Sequence, residues 1–199
     1  MKKSLVVLLI ALAIVALFVG CKAPEVNYEV GGKGPAGGYI FYDCDADNTE
    51  DGGAGEDGLK SSECGWRFLE AAPEDLSRKY AWGPNDATTY NTKTGIGEGQ
   101  NNTNILKDKE IDKFPAAQAC VQYKGGGFTD WFLPSRDELK AMYTNLTKED
   151  KGGKWQDYGN WSSSEGDYAD AYYVIMSTGS AIDYTRSVDY YVRPVRAFK

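Results

Sequence analysis

Asp43, Asp45 and Asp47 alternate along the chain, and Asp51, Glu56 and Asp57 follow within the same polar stretch. Carboxylates crowded in this way suit a hard cation such as Ca²⁺, which gathers about 6–8 oxygens at roughly 2.3–2.6 Å. The helix-loop-helix calcium spacing is not met, because neither Asp43 nor Asp45 has a glycine at the sixth loop position. Two readings stand: a calcium site on Asp43, Asp45, Asp47 and Asp51, or a solvated acidic loop. Cys44 and Cys64 flank this stretch. In an oxidising compartment a disulfide between them would close the loop and add about 3 kcal/mol of stability. Cys120 lies in a helical pattern from Phe114 to Lys124 and is expected to be a buried, inert thiol. The chain has no histidine at all. A Ser-His-Asp triad, a Cys-His dyad and a histidine zinc site are therefore excluded. Ser162, Ser163 and Ser164 have no base beside them in sequence, and no carboxylate pair suggests glycoside chemistry. The expectation is a protein without catalysis and without a cofactor other than Ca²⁺.

The last third of the chain carries a different chemistry. Tyr168, Tyr172, Tyr173, Tyr184, Tyr190 and Tyr191 are interleaved with aspartate and serine. Tyrosine offers rigid amphipathic contact area and serine offers adaptable hydrogen bonds, the composition of antibody combining sites. Tyr172, Tyr173, Asp183, Tyr184, Arg186, Asp189 and Tyr190 are the expected ligand-binding set. The competing reading makes the tyrosines half-buried covers of strands. Trp131, Pro134 and Arg136 could stack and pair with a ligand, but Trp131 and Phe132 read better as core anchors with Pro134 and Ser135 starting a helix.

Hydropathy patterning places these groups. Gly37 to Asp43 and Trp66 to Glu70 read as strands, and residues 74–98 as irregular. Short helices are expected over 102–107 and 114–124, the second ended by Gly125, Gly126 and Gly127. Ser135 and Glu138 form a capping box, and Leu139, Met142, Tyr143 and Leu146 then make one apolar face. Strand patterns follow at 160–165, 171–176, 181–186 and 192–198. The sum is an α+β domain: an early strand, two to three helices and a late antiparallel β-meander.

The chain opens Met1-Lys2-Lys3, then runs apolar from Leu5 to Val19 and closes with Gly20-Cys21-Lys22. Such a segment reads as a signal peptide, too short for the roughly 20 apolar residues of a membrane span, with an uncleaved N-terminal anchor helix as the alternative. Leu17-Phe18-Val19-Gly20-Cys21 resembles a bacterial lipobox. The resemblance implies removal of residues 1–20, acylation of Cys21 and a tether over 21–36. Lys22 resembles the outer-membrane sorting pattern. The implied location is the cell envelope, outside the cytoplasm and lipid-anchored. Without Lys2 and Lys3 the chain holds 20 basic against 29 acidic residues, a charge of about −9. That balance argues against nucleic acid, which needs clustered lysine and arginine. With 23 glycines and 14 tyrosines the composition favours a loop-rich extracytoplasmic domain over a helical bundle.

Longer motifs carry a second resemblance. Gly37-Gly38-Tyr39-Ile40-Phe41-Tyr42-Asp43, Gly65-Trp66-Arg67-Phe68-Leu69-Glu70-Ala71-Ala72-Pro73 and Ala81-Trp82-Gly83 come first. Gly127 to Leu139, Trp161-Ser162-Ser163-Ser164-Glu165 and Val192-Arg193-Pro194-Val195-Arg196-Ala197-Phe198 follow in order. Together they resemble the Lcl C-terminal domain family of collagen-like adhesins and surface lipoproteins. The resemblance implies a C-type lectin-like, sulfatase-modifying-factor-like fold over 37–199, with paired terminal strands. It implies binding of a glycan or protein ligand. The alternative is an envelope structural or assembly protein with protein partners only. No collagen-like repeat is present, and the redox cysteine pair of the related oxidases does not carry over.

Overall fold

The computed structural model describes residues 26–46, 61–156 and 158–199. The elements in chain order are β1 (Tyr39–Asp43), α1 (Ser61–Cys64), β2 (Phe68–Ala71), β3 (Tyr80–Ala81), α2 (Glu98–Asp108), α3 (Pro115–Gln122), α4 (Arg136–Met142), β4 (Gly159–Glu165), β5 (Asp170–Ile175), β6 (Ser180–Thr185), β7 (Asp189–Tyr190) and β8 (Val195–Phe198). This is the expected mix of helix and antiparallel sheet.

The strands form two three-stranded sheets, β1-β2-β8 and β4-β5-β6, and a small β3-β7 pair. β2 lies between the first and last strands of the fold, antiparallel to both. One core fills the space bounded by β1, β2 and α4: Phe41, Leu69, Leu139, Met142, Leu146, Val174 and Val195 meet there. A second core gathers Trp82, Leu106, Phe114, Cys120, Leu133, Trp161 and Ala171 beneath α2 and α3. Val174 belongs to the first and Ala171 to the second, so β5 is packed on both faces.

α4 starts as its capping box requires. The Ser135 hydroxyl accepts from Glu138 N–H at 3.2 Å, and Glu138 Oε2 accepts from Ser135 N–H at 2.8 Å. The same carboxylate does further work: Oε1 accepts from Gly97 and Gly99, at the start of α2. A Cβ on Gly99 would stand 2.2 Å from Glu138 Oε2, so this turn of α2 must be glycine. That contact explains why α2 starts at Glu98, before the expected 102: Gly95, Gly97 and Gly99 read locally as loop, and a distant carboxylate binds them into a helix start.

Residues 26–36 correct the expectation of a free tether. Tyr28 packs edge-on against Phe68 and Phe198, at 5.8 and 5.0 Å between ring centroids. Gly31 donates to the Ile40 carbonyl and Ile40 to that of Gly32, so the segment runs along β1. Ala36 is buried. The signal segment, Cys21 and residues 22–25 lie outside the described residues.

Three arginines of the C-terminal segment are buried: Arg186, Arg193 and Arg196. Arg193 Nε donates to Asp75 Oδ1 at 2.8 Å, with neither side chain exposed. Its other nitrogens donate to the carbonyls of Ala72 and Lys154, and its plane lies 3.7 Å from the Trp155 ring centroid. Asp75 also accepts from Gln156 N–H and the Asn160 amide. Arg196 bridges Glu70 and Asp130, and Glu70 in turn accepts from Ala36 and Gly38 N–H.

Removing one partner of such a pair leaves a charge buried and unpaired. Asp75→Ala should therefore cost about 3–5 kcal/mol in urea unfolding. Exchange of Asp75 and Arg193 together for leucine and methionine should recover only part of that loss, because Gln156 N–H, the Asn160 amide and the carbonyls of Ala72 and Lys154 lose their partners. Burial pushes the Glu138 carboxyl up to about 7 from an ordinary 4.5, against three N–H bonds that pull it down. The folded state thus holds a proton that the unfolded chain has released, and stability from this group falls as pH rises between about 4.5 and 7. Denaturation midpoints at pH 5 and 8 should show this fall in the wild type relative to Glu138→Gln.

Candidate functional site

The tyrosine-rich segment folds into β5, β6 and β7. Strand pairing puts Tyr172 opposite Asp183, Tyr173 opposite Ile182, and Ala171 opposite Tyr184. Because side chains alternate along a strand, this register divides the expected binding set between two faces. Tyr172 and Asp183 share the face that carries α4, where Tyr172 lies 5.1 Å from the Arg136 guanidinium. Arg136 itself pairs with Asp137. Tyr173, Ile182 and Tyr184 share the opposite face.

On that opposite face the aromatic rings form a platform. Tyr190 of β7 stacks on Tyr173 with centroids 4.3 Å apart and planes 18° from parallel. Trp161 meets Tyr190 edge-on at 4.9 Å and supports the pair from below. The Tyr173 ring lies over Gly159, where a Cβ would fall 2.1 Å from its Cδ2. Tyr184 is 49% exposed and Ile182 40% exposed beside the half-buried Tyr173 and Tyr190. Burial, a hydrogen bond with Tyr173 and the neighbouring Tyr184 push the Tyr190 phenol up to about 12. At the β4–β5 turn Tyr168 stands 88% exposed with φ +51°, a left-handed conformation uncommon for a tyrosine.

Arg186 corrects an expectation. It is fully buried and contacts no solvent. Its guanidinium donates to Glu165, to the Thr88 carbonyl and to the Tyr168 carbonyl, while Nε donates to the Asp170 carbonyl. It also lies 4.8 Å from the Trp82 ring centroid and 5.4 Å from that of Tyr90. It positions the rim of the platform, including Tyr168. Asp189 is exposed on β7, which pairs with β3 at the platform border.

The acidic loop is only partly described. Asp43 Oδ1 and Oδ2 accept from Arg67 at 3.0 and 3.1 Å, and Asp45 lies 3.7 Å from the same guanidinium. These two carboxylates thus have a counter-ion in the protein, while Asp47 and Asp51 lie outside the described residues. Among the described residues, no group of three or more cysteine, aspartate or glutamate side chains is gathered as a metal would need. Cys44 is buried beside β2, its N–H donating to the Arg67 carbonyl. The Cys64 side chain lies outside the described residues, and with it the expected disulfide. Cys120 is buried, and burial pushes its thiol far up, away from a reactive thiolate.

Ser162, Ser163 and Ser164 are buried and bonded to the scaffold. Ser162 donates to the Tyr172 carbonyl, Ser164 to the Lys93 carbonyl, and Ser163 accepts from Asn102. Trp131 and Phe132 are core residues, as expected.

Sequence patterning missed Ile182 as a surface residue and missed a second aromatic group. Tyr158, 59% exposed, lies beside Tyr191, and Lys79 Nζ sits 3.8 Å from the Tyr158 ring centroid. No local signal joins Lys79 to Tyr158, since they meet only in the fold. A cleft of about 230 Å³ opens between residues 76–80 and α3, with Arg78 over the Tyr80 ring.

No protein-family model matches this chain, and no curated protein matches it.

Platform support and platform surface should separate under mutation. Tyr190→Ala removes a stacked ring over Trp161 and should lower stability by roughly 1–3 kcal/mol in chemical denaturation. Tyr184→Ala should stay within about 0.5 kcal/mol of the wild type. In an alkaline absorbance titration, Tyr190→Phe should remove one phenol that ionises late.

Proposed function

We propose that this protein is a non-catalytic binding domain of the bacterial cell envelope, anchored through an acylated Cys21 and holding a glycan or protein ligand on the Tyr173–Tyr184–Tyr190 platform. The observation that carries this reading is the platform itself. Tyr184 and Ile182 stand exposed beside the stacked Tyr173 and Tyr190, which Trp161 supports from beneath. Exposed aromatic area on a pre-ordered support is an economical binding surface, because few rotamers are lost on contact. The absence of histidine from the whole chain agrees with binding rather than hydrolysis.

The lipobox resemblance supports the anchor, and the ordered motifs support kinship with the Lcl C-terminal domains and their lectin-like fold. The acidic surface supports a ligand outside the nucleic acids. Asp43, Asp45, Asp47 and Asp51 are the carboxylates that would hold Ca²⁺. The envelope structural protein with protein partners alone is the competing reading.

Screening the full chain against glycans and extracellular-matrix proteins, with Ca²⁺ and with chelator, tests the proposal. A saturable hit is expected that Tyr184→Ala weakens at least roughly tenfold while the melting temperature stays nearly unchanged. A hit indifferent to Tyr184→Ala removes the platform from the proposal. A blank in both buffers favours the structural reading.

A further inference from the structure

Of the four outer edges of the two large sheets, three are covered. Residues 31–33 run along β1, with Gly31 and Ile40 each donating across. Phe132 exchanges both backbone bonds with Val195 of β8. Trp161 and Ser163 of β4 donate to the carbonyls of Tyr191 and Pro134. β6 is the fourth. It pairs with β5 over six residues without a bulge. Among the described residues, no group outside β5 bonds to the main chain of Ala181 to Tyr184. An open strand edge is a template for another strand, and proteins usually blunt it with proline, lysine or a bulge. Ser180-Ala181-Ile182-Asp183-Tyr184-Thr185 has none of these.

We propose that the β6 edge takes an extended, basic polypeptide segment as a fourth strand of the β4-β5-β6 sheet. This inference rests on the platform being the recognition surface and names its ligand class. Main-chain bonds to β6 would supply the binding, and side chains alternating along the incoming strand would supply the selectivity. On the platform face the incoming strand meets Ile182 and Tyr184, which favour β-branched or aromatic neighbours. On the other face it meets Asp183. Asp167, Asp170 and Asp189 surround this end of the sheet. Arg186 is paired with Glu165 and Arg136 with Asp137, which leaves Lys140 of α4 as the exposed cation on this side against the four aspartates. The surrounding charge is thus negative, and lysine or arginine on the incoming strand complements it.

The test titrates the full chain with a short synthetic peptide of alternating lysine and valine. A second copy of that peptide carries N-methyl groups on alternate backbone nitrogens. Saturable binding is expected, with new hydrogen-exchange protection of those amides between Ala181 and Tyr184 that point away from β5, every second one along the strand. N-methylation, which deletes strand-pairing donors and leaves the charge, should weaken binding on the order of tenfold or more. Asp183→Asn should weaken it less and leave the melting temperature unchanged. Equal binding of both peptides would overturn the proposal, because charge alone would then suffice. Peptide failure alongside a Tyr184-dependent glycan hit would overturn strand addition and leave the platform reading intact. A concentration-dependent dimer that protects the same amides would replace the external partner with a second copy of this chain.

Discussion

The fold depends on neutralising three guanidinium groups that the C-terminal segment carries into the interior. Arg193 and Arg196 meet Asp75 and Glu70, 118 and 126 residues earlier, and Arg186 meets Glu165 at the end of β4. A buried charge pair adds little net stability over apolar packing, but an unpaired one is severely costly. The pairs therefore act as conditions on assembly: β8 can pair with β2 only where Arg196 finds Glu70. Each guanidinium also lies against an aromatic ring, Trp82, Trp155 or Phe128, which gives its flat face an apolar partner.

The carboxylate ends of these pairs organise backbone as well as charge. Glu70 accepts from Ala36 and Gly38, and a Cβ on Gly34 would stand 2.3 Å from its Cδ. The glycine-rich segment before β1 is thereby wrapped around a carboxylate instead of hanging free. Glu165 accepts from Tyr90 and Thr92 and so fixes a long irregular connection against β4. Glu138 does the same for the start of α2 without any cation. In this protein, loops that look unstructured in sequence are held by carboxylates distant in sequence.

The proposed recognition surface follows from that scaffold. Arg186 and Glu165 hold the Tyr168 turn, and Trp161 holds the stacked Tyr173 and Tyr190 from beneath. The sheet is consequently stiff where its aromatic side chains face out. Among the described residues, its edge at β6 is open where the other sheet edges are closed by their own chain.

The sequence by itself determined the elements whose signals are local. The Ser135–Glu138 capping box, the apolar face of α4 and the strand patterns at 160–165, 171–176 and 181–186 stand within about a residue of where their spacing puts them, while the pattern at 192–198 is a strand only from Val195; capping and amphipathic periodicity act over a few residues. The burial of Trp131, Phe132 and Cys120 was legible as well. What only the tertiary structure decided depends on register and on partners far away in the chain. A strand pattern says which residues share a face, but not which face is covered. The packing of α4 against one side separated Tyr172 and Asp183 from Tyr173, Tyr184 and Tyr190. Arg186 looked available because arginine is usually exposed, and it is buried because Glu165 and three carbonyls converge on it from other segments. The start of α2 and the docking of residues 26–36 were hidden likewise, since a carboxylate tens of residues away supplies the bonds that local sequence lacks.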